Sequence, residues 1–201
     1  ALTTPLITKT DGGKFGKTEE GNVWLDPEKT SPYKFYQFWI NISDDDAKNF
    51  IKIFSLKNKS ELDNLISLHD IEPHKRLLQN ALADEITQRV HDKSSLELAK
   101  VTTNLLFGRS KKEDFDNLSQ DEMESLSSAV PCVKIKREDL DYDLKSILTE
   151  KSDFKIFKSK SEISRLIKNN GLSLNKVKIE SEEYSLLENI KYKKYILLQK
   201  G

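Results

Sequence analysis

Cysteine is almost absent: Cys132 is the only one in 201 residues. A lone thiol forms neither an internal disulfide nor a cysteine-based zinc site, so a reducing, cytoplasmic setting is expected. Long apolar runs are missing too, since no stretch approaches the roughly 18–20 residues that a bilayer span requires. The opening residues lack the basic-then-apolar pattern of a secretory leader. A soluble chain with no membrane partner is the expectation. The three histidines, His69, His74 and His91, are not set in an H-E-x-x-H pattern, so they read as surface or capping residues and no metal site is expected. Internal repeats and long low-complexity linkers are also lacking.

What is present is charge. Charged residues make up 33% of the chain against 36% hydrophobic ones, which suits a globular, helix-rich protein with a heavily solvated surface. The length allows one large or two modest domains. The net charge of zero hides an asymmetry: residues 1–133 hold 17 Lys plus Arg against 22 Asp plus Glu, and residues 134–201 hold 16 against 11. A basic C-terminal third implies that a polyanion is met there.

Helical periodicity dominates the middle. In "SPYKFYQFWINI", Ser31 is a plausible N-cap, Pro32 fits the first helical position, and Phe35, Phe38, Trp39 and Ile42 recur every three or four residues. Such a stripe reads as core rather than as a base-stacking site. "DDDAKNFIKIFS" predicts a second helix capped by the run Asp44–Asp46, and "KSELDNLISLHD" a short third. After Pro73 comes the longest signal, with Leu77, Leu78, Ala81, Leu82, Ile86 and Val90 on one face and Lys75, Arg76, Gln79, Asp84 and Arg89 on the other. "SSLELAKVTTNLLFG" places Ser94 and Glu97 at capping-box spacing and stops at Gly108. Residues 31 to about 128 thus read as a helical domain.

Beyond "SLSSAVP" the texture changes. "CVKIK" (132–136) predicts a strand, 139–149 a helix, and "SKSEISRLIKNNG" a helix from the Ser159/Glu162 cap to Gly171. "LSLNKVKI" alternates around Asn175 and Lys176 like a strand, a tight turn and a strand, and "KYKKYILLQ" reads as a closing strand. In this small mixed module Arg165 and Lys168 share a helix face, and Lys160, Lys176 and Lys178 are placed to join them. These are cations spaced for phosphates.

The stretch "TDGGKFGKTEEG" (10–21) invites comparison with the P-loop pattern G-x-x-x-x-G-K-[ST]. The match fails, because Asp11 stands where the first glycine belongs and Gly21 and Pro27 interrupt what should be a helix. What remains is a mobile loop, through Gly12, Gly13 and Gly16, that carries Lys14 and Lys17. Two ammonium groups brought over a polyphosphate stabilise charge that builds in a transition state.

"PLITKTDGGKFGKTEEGNVWLDPEKTSPYKFYQFWIN" resembles the segment of bacterial tyrosyl-tRNA synthetases that carries their form of the class I KMSKS signature, here Lys14-Phe15-Gly16-Lys17-Thr18. "RLLQNALADEITQRVH" looks like the helical anticodon-binding domain of that family, and "SKSEISRLIKNNGLSLNKVKI" is similar to its terminal ribosomal S-four-type RNA-binding module. The resemblance covers the chain in family order, which disfavours two alternatives: a free-standing RNA-binding module and a purely structural domain.

The resemblance implies an α+β, mostly α fold: a remnant of a Rossmann-type catalytic domain over 1–30, a helical anticodon-binding domain over 31–130 and the RNA-binding module over 131–201. It implies ATP as substrate, with Mg2+ accompanying it, and tyrosine tRNA as partner. Lys14 and Lys17 become catalytic candidates, with Gly16, Lys17 and Thr18 against ATP. The RNA candidates are Arg165, Lys168, Lys176, Lys160 and Lys178, while Asp63, Asp70 and Pro73–Arg76 stand near the anticodon side by position only. The chain begins just before the signature, and no H-x-G-H occurs in it. The HIGH motif, the tyrosine pocket and the homodimer interface are therefore expected in a preceding segment, a short strand is expected beyond "YILLQKG", and the chain alone is expected to be inactive.

Overall fold

Small polar side chains decide where the helices start in the computed structural model, which describes residues 1–18, 21–108 and 110–201. Helix α1 (Pro32–Ile40) begins after Ser31, whose Oγ accepts the Lys34 N–H at 3.3 Å. Helix α2 (Asp44–Phe54) is capped by Ser43, whose Oγ accepts the Asp46 N–H at 3.1 Å. The acidic run expected as the cap therefore fills the first turn instead, where its charge meets the positive end of the helix dipole. Helix α3 (Lys59–Ile71) opens with a reciprocal box between Asn58 and Glu61. A 3-10 turn at Pro73–Lys75 leads into α4 (Leu77–Val90) through Arg76, whose φ is 51°.

Two helical expectations are corrected. Helix α5 (Lys93–Phe107) is not capped by Ser94 and Glu97; Asp92 Oδ1 accepts the Ser95 N–H at 2.6 Å, which puts the cap two residues earlier. Gln79, expected on the polar face of α4, is fully buried. Its Nε2 donates to Asp44 Oδ1 at 2.6 Å and approaches the Ile42 carbonyl at 3.4 Å. These two acceptors offset the burial of its amide nitrogen, while its Oε1 is buried with no partner among the described residues.

The first compact unit, Ala1–Lys100, packs α4 against α1, α2 and α3. Phe35, Trp39, Phe50, Ile51, Leu78 and Leu82 are buried in it, so the aromatic stripe is core as its spacing implied. His69 is fully buried rather than at the surface, with Nε2 3.3 Å from Asp44 Oδ1. His74 is exposed. His91 is half-buried at the C-terminal end of α4, edge-on to Phe35.

The second unit, Val101–Gly201, starts within α5, ahead of the 130/131 boundary read from sequence texture. Helices α6 (Lys112–Asp116) and α7 (Gln120–Ala129) supply Phe115, Met123 and Leu126, and the link between them Leu118, to a core that also holds Leu105, Leu197 and Tyr195. Residues 132–136 form no strand among the described residues. The helix expected over 139–149 splits into a 3-10 turn, Arg137–Asp141, and α8 (Leu144–Leu148). It restarts because Asp143 accepts both the backbone N–H (3.0 Å) and the hydroxyl (2.6 Å) of Ser146.

Helix α9 (Lys160–Lys168) is capped by Ser159 as expected. Strands β3 (Leu172–Leu174) and β4 (Val177–Lys178) form the predicted hairpin, with Leu174 opposite Val177. Asn175 and Lys176, at φ 48° and 68°, make the two-residue left-handed turn that suits strand twist. The closing strand is only β5 (Leu198–Lys200), antiparallel to β3, so the sheet order is β4-β3-β5. The described residues are mostly helical, with this three-stranded sheet and one two-stranded pairing near the N-terminus.

Candidate functional site

The glycine-lysine stretch folds back on itself rather than hanging free. Thr8 and Lys14 are bridged antiparallel, the Lys9 N–H donates to the Gly13 carbonyl at 2.9 Å, and the Gly12 N–H donates to that of Lys9 at 3.0 Å. Beyond the bridge, β1 (Lys17–Thr18) pairs with β2 (Gly21–Asn22), Lys17 opposite Asn22. The Val23 N–H extends this pairing to the Gly16 carbonyl at 2.9 Å. Gly16 has φ 81°, a left-handed value that costs a side-chain-bearing residue about 1–2 kcal/mol.

Two anchors fasten the loop to the helices. The Thr10 N–H donates to Asp46 Oδ1 at 2.7 Å, and Asp46 is buried in the first turn of α2. Phe15 enters an aromatic box, with ring centroids 4.9 Å from Phe50, 5.1 Å from Phe54, 5.5 Å from Trp39 and 5.7 Å from Phe38. The stretch expected as a mobile loop is thus attached to the helices at two points. Sequence reasoning passed over Phe15 and Asp46; the signal was a single large aromatic inside an otherwise polar, glycine-rich run. Lys14 is exposed. Lys17 and Thr18 are described through their backbone, and the side chains of these two expected phosphate ligands lie outside the described atoms.

The loop offers ammonium groups and backbone N–H groups, donors that suit phosphate oxygens and not a cation. Among the described residues no three His, Cys, Asp or Glu side chains converge on a point. The donor set therefore does not fit Mg2+ as a ligand of this loop.

The five cations expected against RNA separate into two kinds. Arg165 and Lys168 lie three residues apart on α9 and are exposed, as is Lys178 on β4. Lys160, at the start of α9, is exposed but engaged by Glu150 Oε1 and Ser146 Oγ, each at 2.9 Å. Lys176 departs from the expectation. Its ammonium donates to the Leu105 carbonyl, and burial pushes its pKa below the ordinary lysine value. Lys191 acts similarly, reaching the carbonyls of Phe115 and Asp116, while the Tyr192 hydroxyl donates to that of Leu118 at 2.6 Å. The two lysines donate to carbonyls in the last turns of α5 and α6, where intrahelical donors run out. Of the positional candidates in the first unit, Asp63 is exposed and Asp70 pairs with Lys48 at 2.6 Å. Arg76 turns inward, with Nη2 2.6 and 3.1 Å from the carbonyls of Ile40 and Ile42 at the end of α1.

A family model described as tRNA synthetases class I (W and Y) matches residues 1–108, more than half of the chain, and the chain belongs to that family. Within it, the chain is similar to the tyrosine–tRNA ligase of Bacteroides fragilis, 44% identical over 202 residues that take in all of this chain and 47% of the relative. The tyrosine–tRNA ligase of Flavobacterium johnsoniae is 45% identical over 203 residues, with the same 47% of the relative covered. The chain spans about half the length of the curated relatives it matches. Among solved structures, a C-terminally truncated mitochondrial tyrosyl-tRNA synthetase from Coccidioides posadasii is 34% identical over 49% of this chain and 25% of its own, with a TM-score of 0.42.

Proposed function

We propose that this chain is the C-terminal, tRNA-binding part of a tyrosine–tRNA ligase, and that its lysine loop serves the ATP site of the complete enzyme. In that reaction the tyrosine carboxylate attacks the α-phosphorus of ATP, pyrophosphate leaves, and the tyrosyl group then passes from the adenylate to the 3′ end of tyrosine tRNA. Lys14 and Lys17 neutralise the triphosphate as charge builds on the departing pyrophosphate. Gly16 and Thr18 line the same phosphates, and Mg2+ arrives bound to the ATP. Residues 1–30 are the end of the catalytic domain, 31–130 read the anticodon region, and 131–201 hold tRNA backbone through Arg165, Lys168 and Lys178, with Lys160 at the rim. The complete enzyme works in the cytoplasm as a homodimer joined through its catalytic domain.

One observation carries this reading: the similarity to tyrosine–tRNA ligases runs unbroken through the whole chain. The alternative, a basic module without synthetase specificity, binds any structured RNA through its phosphates alone. Fluorescence anisotropy separates the two, using labelled tyrosine tRNA and one unrelated tRNA titrated with this chain across a salt series. A preference for tyrosine tRNA that persists as salt weakens the phosphate contribution supports the proposal. Equal, steeply salt-dependent binding of both tRNAs supports the generic module instead.

A further inference from the structure

Phe15 stands between the two loop lysines in the sequence. Lys14 is exposed, whereas Phe15 inserts among Phe38 and Trp39 of α1 and Phe50 and Phe54 of α2, stacking on Phe54 with an interplanar angle of 26°. On the other side of Lys14, the backbone of Thr10 is tied to the buried carboxylate of Asp46 at 2.7 Å. Lys14 is therefore held between two attachment points on one pair of helices, and Lys17 follows two residues after the second. Aromatic rings in offset and edge contact hold both position and orientation.

We propose that Phe15, assisted by Asp46, is a positioning residue that fastens the lysine loop to the α1–α2 pair, so that these helices set where the ammonium groups stand over the triphosphate. The inference rests on the ligase reading above. Phe15 touches no substrate and acts only through the lysines. A displacement of about 1 Å at a reacting group costs on the order of a hundredfold in rate, and loss of the ring frees the loop by at least that much.

The test has two arms. In the complete ligase, tyrosine-dependent ATP–pyrophosphate exchange is measured for Phe15→Ala, Phe15→Leu, Lys14→Ala and Lys17→Ala. Phe15→Ala is expected to lower kcat about 10- to 100-fold with KM for tyrosine unchanged, and Phe15→Leu, which refills most of the box, to recover most of the loss. In this chain alone, amide hydrogen exchange is compared between wild type and Phe15→Ala. The Thr10 and Val23 amides are expected to exchange at least about tenfold faster while α4 amides keep their protection, which separates loop release from global unfolding. A Phe15→Ala enzyme with wild-type kcat beside inactive lysine variants overturns the positioning role and leaves the ligase reading standing, as does unchanged exchange at Thr10 and Val23. Lysine variants of full activity overturn the ATP-site role of the loop, and the positioning role with it, whereas a wild-type enzyme without tyrosine-dependent exchange overturns the ligase reading.

Discussion

The ammonium of Lys176 rests on the Leu105 carbonyl, where burial holds its pKa below 10.5. Between that lowered value and 10.5 the unfolded chain binds more protons than the folded one, so the residue's contribution to stability rises with pH across the window. Lys176→Met is expected to destabilise the second unit by about 1–2 kcal/mol and to leave the salt dependence of tRNA binding unchanged. The gap in stability to wild type should widen as pH rises toward 10.5, as thermal melts at several pH values would show. Lys168→Ala is expected to do the opposite: the fold is kept, and the slope of log affinity against log salt falls by about one. From the sequence these two lysines are alike, because charge and spacing do not report which way a side chain leaves a left-handed turn. Gln79 and Phe15 make the same point with reversed polarity, an amide inside a core and a ring inside a polar loop.

At the scale of elements, caps explain both the agreement and the failures. Helices α1, α3 and α9 appear where serine or asparagine precedes an apolar period, since a side-chain oxygen satisfies N–H groups that would otherwise be orphaned. The expected helix over 139–149 fails because Asp143 is itself a cap, starting a new helix at Leu144, the next residue. The hydroxyl and backbone of Ser146 hold the Asp143 carboxyl below its ordinary 3.8. Its contribution is therefore complete above pH 3.8 and lost as pH falls through the lower, folded value. Asp143→Ala is expected to cost about 1 kcal/mol near neutral pH, a difference that shrinks in acid melts. Residues 132–136 carry the alternation of a strand, yet a strand exists only where a partner offers a ladder, and local pattern holds no record of that.

For the whole molecule, the division into units at Lys100 and Val101 has a direct consequence. Lys191, Tyr192, Tyr195 and Leu197 engage the ends and faces of α5, α6 and α7, so the C-terminal module shares its core with residues that sequence texture assigned to the helical domain. A fragment of residues 131–201 is expected to melt more than about 10 °C below one of residues 101–201, since each lost kcal/mol lowers the midpoint by roughly 4–8 °C at this size. Differential scanning calorimetry of both fragments checks this. On the ligase reading, the 201-residue chain by itself is expected to give no tyrosine-dependent pyrophosphate exchange, because lysines with no bound tyrosine and adenosine have nothing to orient.

The sequence by itself determined what is local: the starts of α1, α3 and α9, the Asn175–Lys176 hairpin turn, the apolar stripe of α1 and the signature Lys14–Thr18 that carries the family resemblance. These follow from capping, φ preference and periodicity, which act over a few residues. Only the tertiary structure decided that Phe15 pins the loop, that Lys176 and Lys191 serve helix ends and that the second unit begins inside α5. The contacts join residues distant in the chain, from 23 positions between Phe15 and Phe38 to 76 between Phe115 and Lys191. Such pairings are fixed by burial and by the cost of leaving a buried donor or acceptor without a partner, a cost set by the folded chain as a whole and not by any local stretch.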